Sequence, residues 1–281
     1  MVTYLATPSD QRMQQDGVLT LGAAYDGQHQ SYFATYQAFP WLEATFRYTG
    51  FEQFFYWDRY YAFKARVFEE SQLLPQVAFG VRDLVGTGVF GSEYFVGSKK
   101  VGSFDLTGVM AWGRLAGNGQ FTNPLSVLDS RFEFRPEATS DVTNAGRVRN
   151  FYLRGDIGFF AGASYQHSNS GIKFVAEYNP DQYDFNNRRN RPEYRPSSPF
   201  SYGVEWRPAD GVVLGLTHQH GYEIGVSIRS SLDTKALPSR REVPEFVSSM
   251  FLAQSDLPKG ISKSSWYDRL LYDVERSGLI L

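Results

Sequence analysis

The chain has 281 residues, a net charge of -2 and no cysteine. A pI near 6.1 leaves no electrostatic footprint for nucleic acid, and the missing cysteines exclude a disulfide framework, a thiolate metal site and a cysteine nucleophile. Aromatic residues make up 16%, with 18 Tyr, 23 Phe and 26 Gly, a composition that suits a membrane barrel with aromatic girdles or an aromatic-rich soluble β-sandwich.

Residues 1–16 are polar and irregular, and residues 1–6 have neither the basic start nor the apolar core of a signal peptide. A first strand is expected over 17–25, with Leu19, Leu21, Ala23 and Tyr25 on one face, and a second over 32–38. Pro40 then sits in a tight connection, where its missing N–H costs no ladder bond. Residues 42–49 alternate without a fault. Leu42, Ala44, Phe46 and Tyr48 point one way, and Glu43, Thr45, Arg47 and Thr49 the other.

Residues 51–58 read as an aromatic loop. Further strands are expected over 60–68, 77–82, 93–98 and 104–112, and residues 113–150 form a long polar segment. Residues 151–167 return as a strand or a bent pair, followed by 171–178, a second long polar loop over 179–198, and strands over 200–207, 212–219 and 223–231. No run of about 18 apolar residues occurs, so no transmembrane helix is expected.

This gives roughly twelve strands of about 8–10 residues, the length a tilted strand needs to cross a bilayer. The connections sort by parity. Those after even strands are mostly short, whereas those after odd strands include the long ones at 51–59, 114–150 and 180–199. Outer-membrane barrels sort their turns and loops in this way, and a soluble sandwich has no reason to. The fold expected is an all-β antiparallel transmembrane barrel over 1–232. A partly helical tail follows over 233–281, where Tyr267, Leu270, Leu271 and Val274 make a helical stripe. The segments at 114–150 and 180–199 should lie at the same end, opposite the N-terminus, with at least one folding over or into the mouth. Phe46, Phe63, Phe79, Leu106, Phe174 and Leu214 should form an outward apolar belt.

Little in the chain carries catalytic chemistry. His218 and His220 stand two apart, a spacing a metal could use on one strand face, although rim positions explain them as well. No acid–base carboxylate pair and no Ser-His-Asp set stands out, and the glycine-containing stretch at 84–91 lacks the helix a phosphate loop needs. The constellation is the set of charges on the inward faces: Glu43, Arg47, Lys64, Arg66, Arg82, Glu93, Glu205 and Arg207, with Asp105, Lys173, Glu177 and Arg229. In a closed interior they pair with one another or with water, either filling a narrow barrel or lining a surface for a hydrophilic polymer. Gly80, Gly97, Gly203 and Gly215 should leave room between them, giving a wet but largely obstructed lumen.

The stretch Gln37-Ala38-Phe39-Pro40-Trp41-Leu42-Glu43-Ala44-Thr45-Phe46-Arg47-Tyr48 resembles a signature of the YjbH/GfcD outer-membrane proteins. The strings at 74–83 and 86–94, Ser98-Lys99-Lys100, Trp112-Gly113, Asn123-Pro124, Leu153-Arg154-Gly155 and Gly221 also fall in that family's order, over about residues 8–232. The resemblance implies a Gram-negative outer-membrane barrel serving exopolysaccharide or capsule export and assembly. It implies no enzymatic activity and no cofactor or metal, with outer-membrane lipid, a polysaccharide chain and other export proteins as partners. The alternatives are a plugged barrel that scaffolds other export components and a soluble carbohydrate-binding sandwich. Members of that family are longer and carry a signal peptide, so the chain reads as a fragment.

Overall fold

The computed structural model describes residues 12–27, 29–51, 56–84, 91–116, 121–135, 153–167, 170–179 and 197–235. Twelve strands follow one another: β1 (Val18–Tyr25), β2 (His29–Phe39), β3 (Leu42–Phe51), β4 (Tyr56–Phe68), β5 (Gln76–Arg82), β6 (Ser92–Val101), β7 (Phe104–Gly113), β8 (Ile157–Gln166), β9 (Ile172–Tyr178), β10 (Phe200–Ala209), β11 (Val212–Gln219) and β12 (Glu223–Asp233). Each pairs antiparallel with the next, and β12 pairs back with β1 to close an all-β barrel. Closure leaves no strand edge, which removes the usual template for aggregation. The compact barrel unit ends at Lys235, and the expected helical tail lies outside the described residues.

Strict up-and-down order fixes which connections share an end. The end where β1 begins carries the turns after β2, β4, β6, β8 and β10, and the far end carries those after odd strands. The long connections after β7 and β9 therefore leave from the same, far end, opposite the start of β1. Their central residues, 136–152 and 180–196, lie outside the described set. The aromatic loop expected over 51–58 is shorter than its composition implies. Phe51 belongs to β3 and Tyr56–Asp58 to β4, because Trp57 stacks on Tyr48 at 4.7 Å and so extends the ladder with its ring.

The two faces of the wall differ as alternation requires. Phe46, Phe63, Leu106 and Phe174 point outward and are 37%, 39%, 47% and 49% exposed. Phe79 and Leu214 share that face but are half-buried, Phe79 through its contact with Phe95 at 5.0 Å. Tyr32, Tyr48 and Trp57 gather towards the far end of this surface, and Phe39 stacks on Trp41 at 5.8 Å at the near end.

The inner face has two sectors. One is polar, knitted by cross-strand hydroxyl pairs such as Ser31–Thr49 at 3.1 Å and Thr35–Thr45 at 2.9 Å. The other is an apolar cluster of Tyr60, Ala78, Tyr94, Val96, Val109, Ala111 and Phe160, closed by Leu115 from the short 3-10 turn Arg114–Ala116. The long connection after β7 thus enters the far mouth with Leu115. The lumen departs from the uniformly polar interior expected, because inward positions on β5 to β8 are filled by small and apolar residues whose burial is favourable.

Candidate functional site: the barrel interior

Glu43, Arg47, Lys64, Arg82 and Glu205 face the interior, as their alternation requires. Glu43 and Lys64 are direct cross-strand partners on β3 and β4, both almost fully buried, with oxygen and ammonium 3.0 Å apart. Glu205 on β10 holds two cations, Lys173 of β9 at 3.0 Å and Arg229 of β12 at 2.7 Å. Arg229 reaches Glu205 across β11, where Gly215 stands beside Glu205 with no side chain in the way. A Cβ at Gly215 would come within 2.4 Å of the Ser227 hydroxyl, so the glycine is held by its neighbours as well.

One expected interior residue and one glycine stand on the outer face, and two further expected residues sit at the near rim of the inward face. Glu93 pairs in register with Val81 and Trp112, which places it on the outer face, yet it is only 2% exposed. The returning connection after β7 covers it. Arg135 grips its carboxylate with both guanidinium nitrogens, at 2.8 and 3.0 Å, and the Leu153 N–H donates to it at 3.0 Å. Beside it, Asn123 donates to the carbonyls of Phe132 and Leu153 and caps the 3-10 turn Pro124–Val127. Asn123-Pro124 and Leu153-Arg154-Gly155, which carry part of the family resemblance, are therefore parts of a loop clasp. Glu93 is the anchor of that clasp rather than a lumen group.

Arg66 lies at the near end of β4 and pairs with exposed Glu69 at 2.5 Å, and Arg207 is exposed at the same rim, beyond the Glu205 cluster. Gly97 pairs with Val77 and Gly108 and so faces outward, not into the lumen. Residues 12–17, expected to be irregular, cross the near mouth. Arg12 binds Asp105 through two nitrogens, at 2.5 and 3.0 Å, and Glu70 at 2.5 Å. Its carbonyl accepts from Lys64 Nζ at 3.4 Å, and the Gln14 N–H donates to Gln37 Oε1 at 2.9 Å. Because β7 stands half-way round the ring from β1, this strap spans the opening. The Arg12 guanidinium holds the Glu70 carboxyl down at about 2.

At the far end His218 and His220 do not share a face. His218 is exposed on the outer face of β11, whereas His220 begins the next turn with φ 55 and is fully buried. Among the described residues no group of three His, Asp or Glu side chains is placed to hold a metal ion. The His220 carbonyl accepts the N–H groups of Ser197 and Ser198, at 2.9 and 3.1 Å, fixing the return of the connection after β9. Burial lowers the His220 pKa to about 4, so the fold favours neutral imidazole. The stability this adds is present above the unfolded value near 6.5 and is lost as pH falls towards 4. A ring-proton titration by NMR should show a His220 midpoint near 4, and His220→Asn should flatten the dependence of stability on pH between those limits.

The family model described as "Exopolysaccharide biosynthesis protein YbjH" matches residues 1–263 of the chain. An uncharacterized lipoprotein YjbH of Escherichia coli (strain K12) is 33% identical over 248 residues, covering 83% of this chain and 34% of its own length. The chain thus spans about a third of that relative. Among solved structures, the KdgM porin aligns over 76% of this chain and 97% of its own at 5% identity and a TM-score of 0.41. The COG4313 outer membrane channel from Pseudomonas putida F1 aligns over 80% of this chain and 99% of its own at 7% identity and a TM-score of 0.39.

Proposed function

The chain belongs to the YjbH family of exopolysaccharide biosynthesis proteins, and from that membership we propose that it is an outer-membrane barrel of a Gram-negative cell that serves exopolysaccharide or capsule export and assembly without catalysing a reaction. The observation that carries this reading is the closed twelve-strand ring with an apolar outside and a charged inside. A soluble protein that exposed so continuous an apolar surface would aggregate, whereas in a bilayer that surface is satisfied by lipid. The Glu43–Lys64 pair and the Glu205 cluster offer hydrogen-bonding partners to a hydrophilic polymer or to partner proteins of the export machinery. The strap through Arg12 and the Leu115 turn close opposite mouths of the barrel at rest, so passage of a glycan requires both to move or a partner to move them.

Arginine at Phe46 or Leu106 should cost about 2–4 kcal/mol of stability in lipid vesicles, because the charge is forced against hydrocarbon. In cells, either substitution should lower both the barrel level in the outer membrane and the surface polysaccharide. Vesicle stability unchanged by both substitutions would refute the membrane reading. Surface polysaccharide unaffected by removal of the protein would refute the export reading alone.

A further inference from the structure

Three outward positions of the wall are buried. Glu93, Trp112 and Ile157 are direct partners in one row across β6, β7 and β8. Phe95, Met110 and Phe159, two residues nearer mid-wall on the same face, form the next outward row, with Phe95 36% and Phe159 41% exposed. Yet Trp112 and Ile157, like Glu93, are almost wholly buried, at 3% and 5%. The loop clasp lies over them. Arg135 and the Leu153 N–H hold Glu93, and Phe121 exchanges both backbone hydrogen bonds with Ile157, at 2.9 and 3.1 Å. The Phe121 ring then meets the outward Phe159 edge-on at 5.4 Å. Gly113, in the left-handed region with φ 71, clears the way for Arg135, whose guanidinium carbon would stand 2.6 Å from a Cβ there. The clasp is therefore outboard of the barrel wall, in the place that the surroundings of the wall would otherwise fill.

We infer that the clasp is a membrane anchor, with its Val127–Leu128 edge and Phe134 seated in the lipid boundary of the outer leaflet. The inference rests on the membrane reading above and assigns a lipid-binding role to one loop. Val127, Leu128 and Phe134 are 89%, 79% and 69% exposed, so the clasp buries the wall beneath it and presents apolar side chains of its own. Lipid is the occupant because this surface continues the lipid-facing belt through the Phe121–Phe159 contact. Its height fits as well. Trp112 is the last but one residue of β7, where a spanning strand reaches the interface and aromatic girdles sit. Elsewhere on the rim Tyr32, Tyr48 and Trp57 make that girdle, and on β6 to β8 the clasp supplies it. The charges between Leu128 and Phe134 suit a headgroup boundary. Arg131 grips Asp129 through two nitrogens, at 3.1 and 2.7 Å, and Glu133 keeps the segment from sinking into hydrocarbon.

The test uses the full chain in lipid vesicles, with a single cysteine placed by Val127→Cys, Leu128→Cys or, as the belt reference, Leu106→Cys. Each cysteine carries an environment-sensitive fluorophore. The two clasp side chains are so exposed that their replacement removes little packing. Two quenchers are compared: a phospholipid with a nitroxide high on its acyl chain, and iodide on both sides of the bilayer. The nitroxide lipid should quench all three positions, and Val127 and Leu128 should lose most of the iodide quenching that free dye shows. Full iodide quenching at either clasp position, with Leu106 in lipid, would overturn the anchor and leave the membrane reading standing. Shielding of the clasp from both quenchers, with Leu106 in lipid, would mean that a second copy covers it, and would overturn the anchor too. Full iodide quenching at all three positions would overturn the anchor and the membrane reading together.

Discussion

Replacing Glu205 with alanine should destabilise the barrel by about 3–5 kcal/mol, the cost of leaving buried charge without its counter-ion. Glu205 is nearly buried and is shared by Lys173 at 3.0 Å and Arg229 at 2.7 Å. Removing it takes the shared carboxylate from two cations on the inner wall, Lys173 of β9 and Arg229 of β12, whose mutual repulsion adds to the lost attraction. Removing Lys173 alone should cost less, because Arg229 still neutralises the carboxylate. Urea unfolding of the barrel in lipid vesicles provides the comparison. A Glu205→Ala loss below about 1 kcal/mol would mean that water, rather than Glu205, neutralises these cations.

Arg12→Ala should open the near mouth. The strap is held to the opposite wall chiefly by the fork of Arg12 on Asp105 and by its third nitrogen on Glu70. These groups are about a quarter exposed, so the contact is worth less than a buried one. A loss of about 1.4 kcal/mol still shifts a closed-to-open ratio about tenfold. Planar-bilayer recordings should show brief, small conductance from the unmodified barrel and a raised open fraction in Arg12→Ala. The Glu70 carboxyl, held near 2, adds a pH signature. Its depressed pKa stabilises the strap above its ordinary value near 4.5, and that contribution fades as pH falls towards 2. A large, steady, ohmic current from the unmodified barrel would show that the strap closes nothing.

Much of this architecture was legible because a strand writes its environment into every second residue. Leu42 to Thr49 states both faces of β3, and the same alternation on β2 sets exposed Tyr32 and Tyr36 outward and buried Phe33 inward. Charge misleads where a distant segment covers a residue. Alternation with Phe95 puts Glu93 on the outer face, where a bare carboxylate is costly, and Arg135, 42 residues away, is what makes that position tolerable. The strap was invisible for a related reason, since Arg12 meets partners 58 and 93 residues along the chain and no local pattern encodes them. His218 and His220 look like one face of a strand until the backbone reverses at His220, with φ 55. The apolar sector of the lumen was hidden by the assumption that inward means polar, whereas Val96, Val109, Ala111 and Phe160 had the inward parity all along.

The central claim is that the strands cross a bilayer with alternate residues in lipid and in the barrel. The cysteine-free chain allows it to be measured without background. Single cysteines at Leu106, Thr107, Val109 and Met110 of β7 would each carry a nitroxide label in lipid vesicles, with collision rates recorded for oxygen, which concentrates in hydrocarbon, and for a water-soluble nickel complex. Oxygen accessibility should be high at Leu106 and Met110 and low at Thr107 and Val109, with the nickel complex excluded from the first pair. Nickel-complex access at Leu106 and Met110 equal to that of a freely dissolved label, with no alternation in oxygen, would contradict a membrane-spanning barrel.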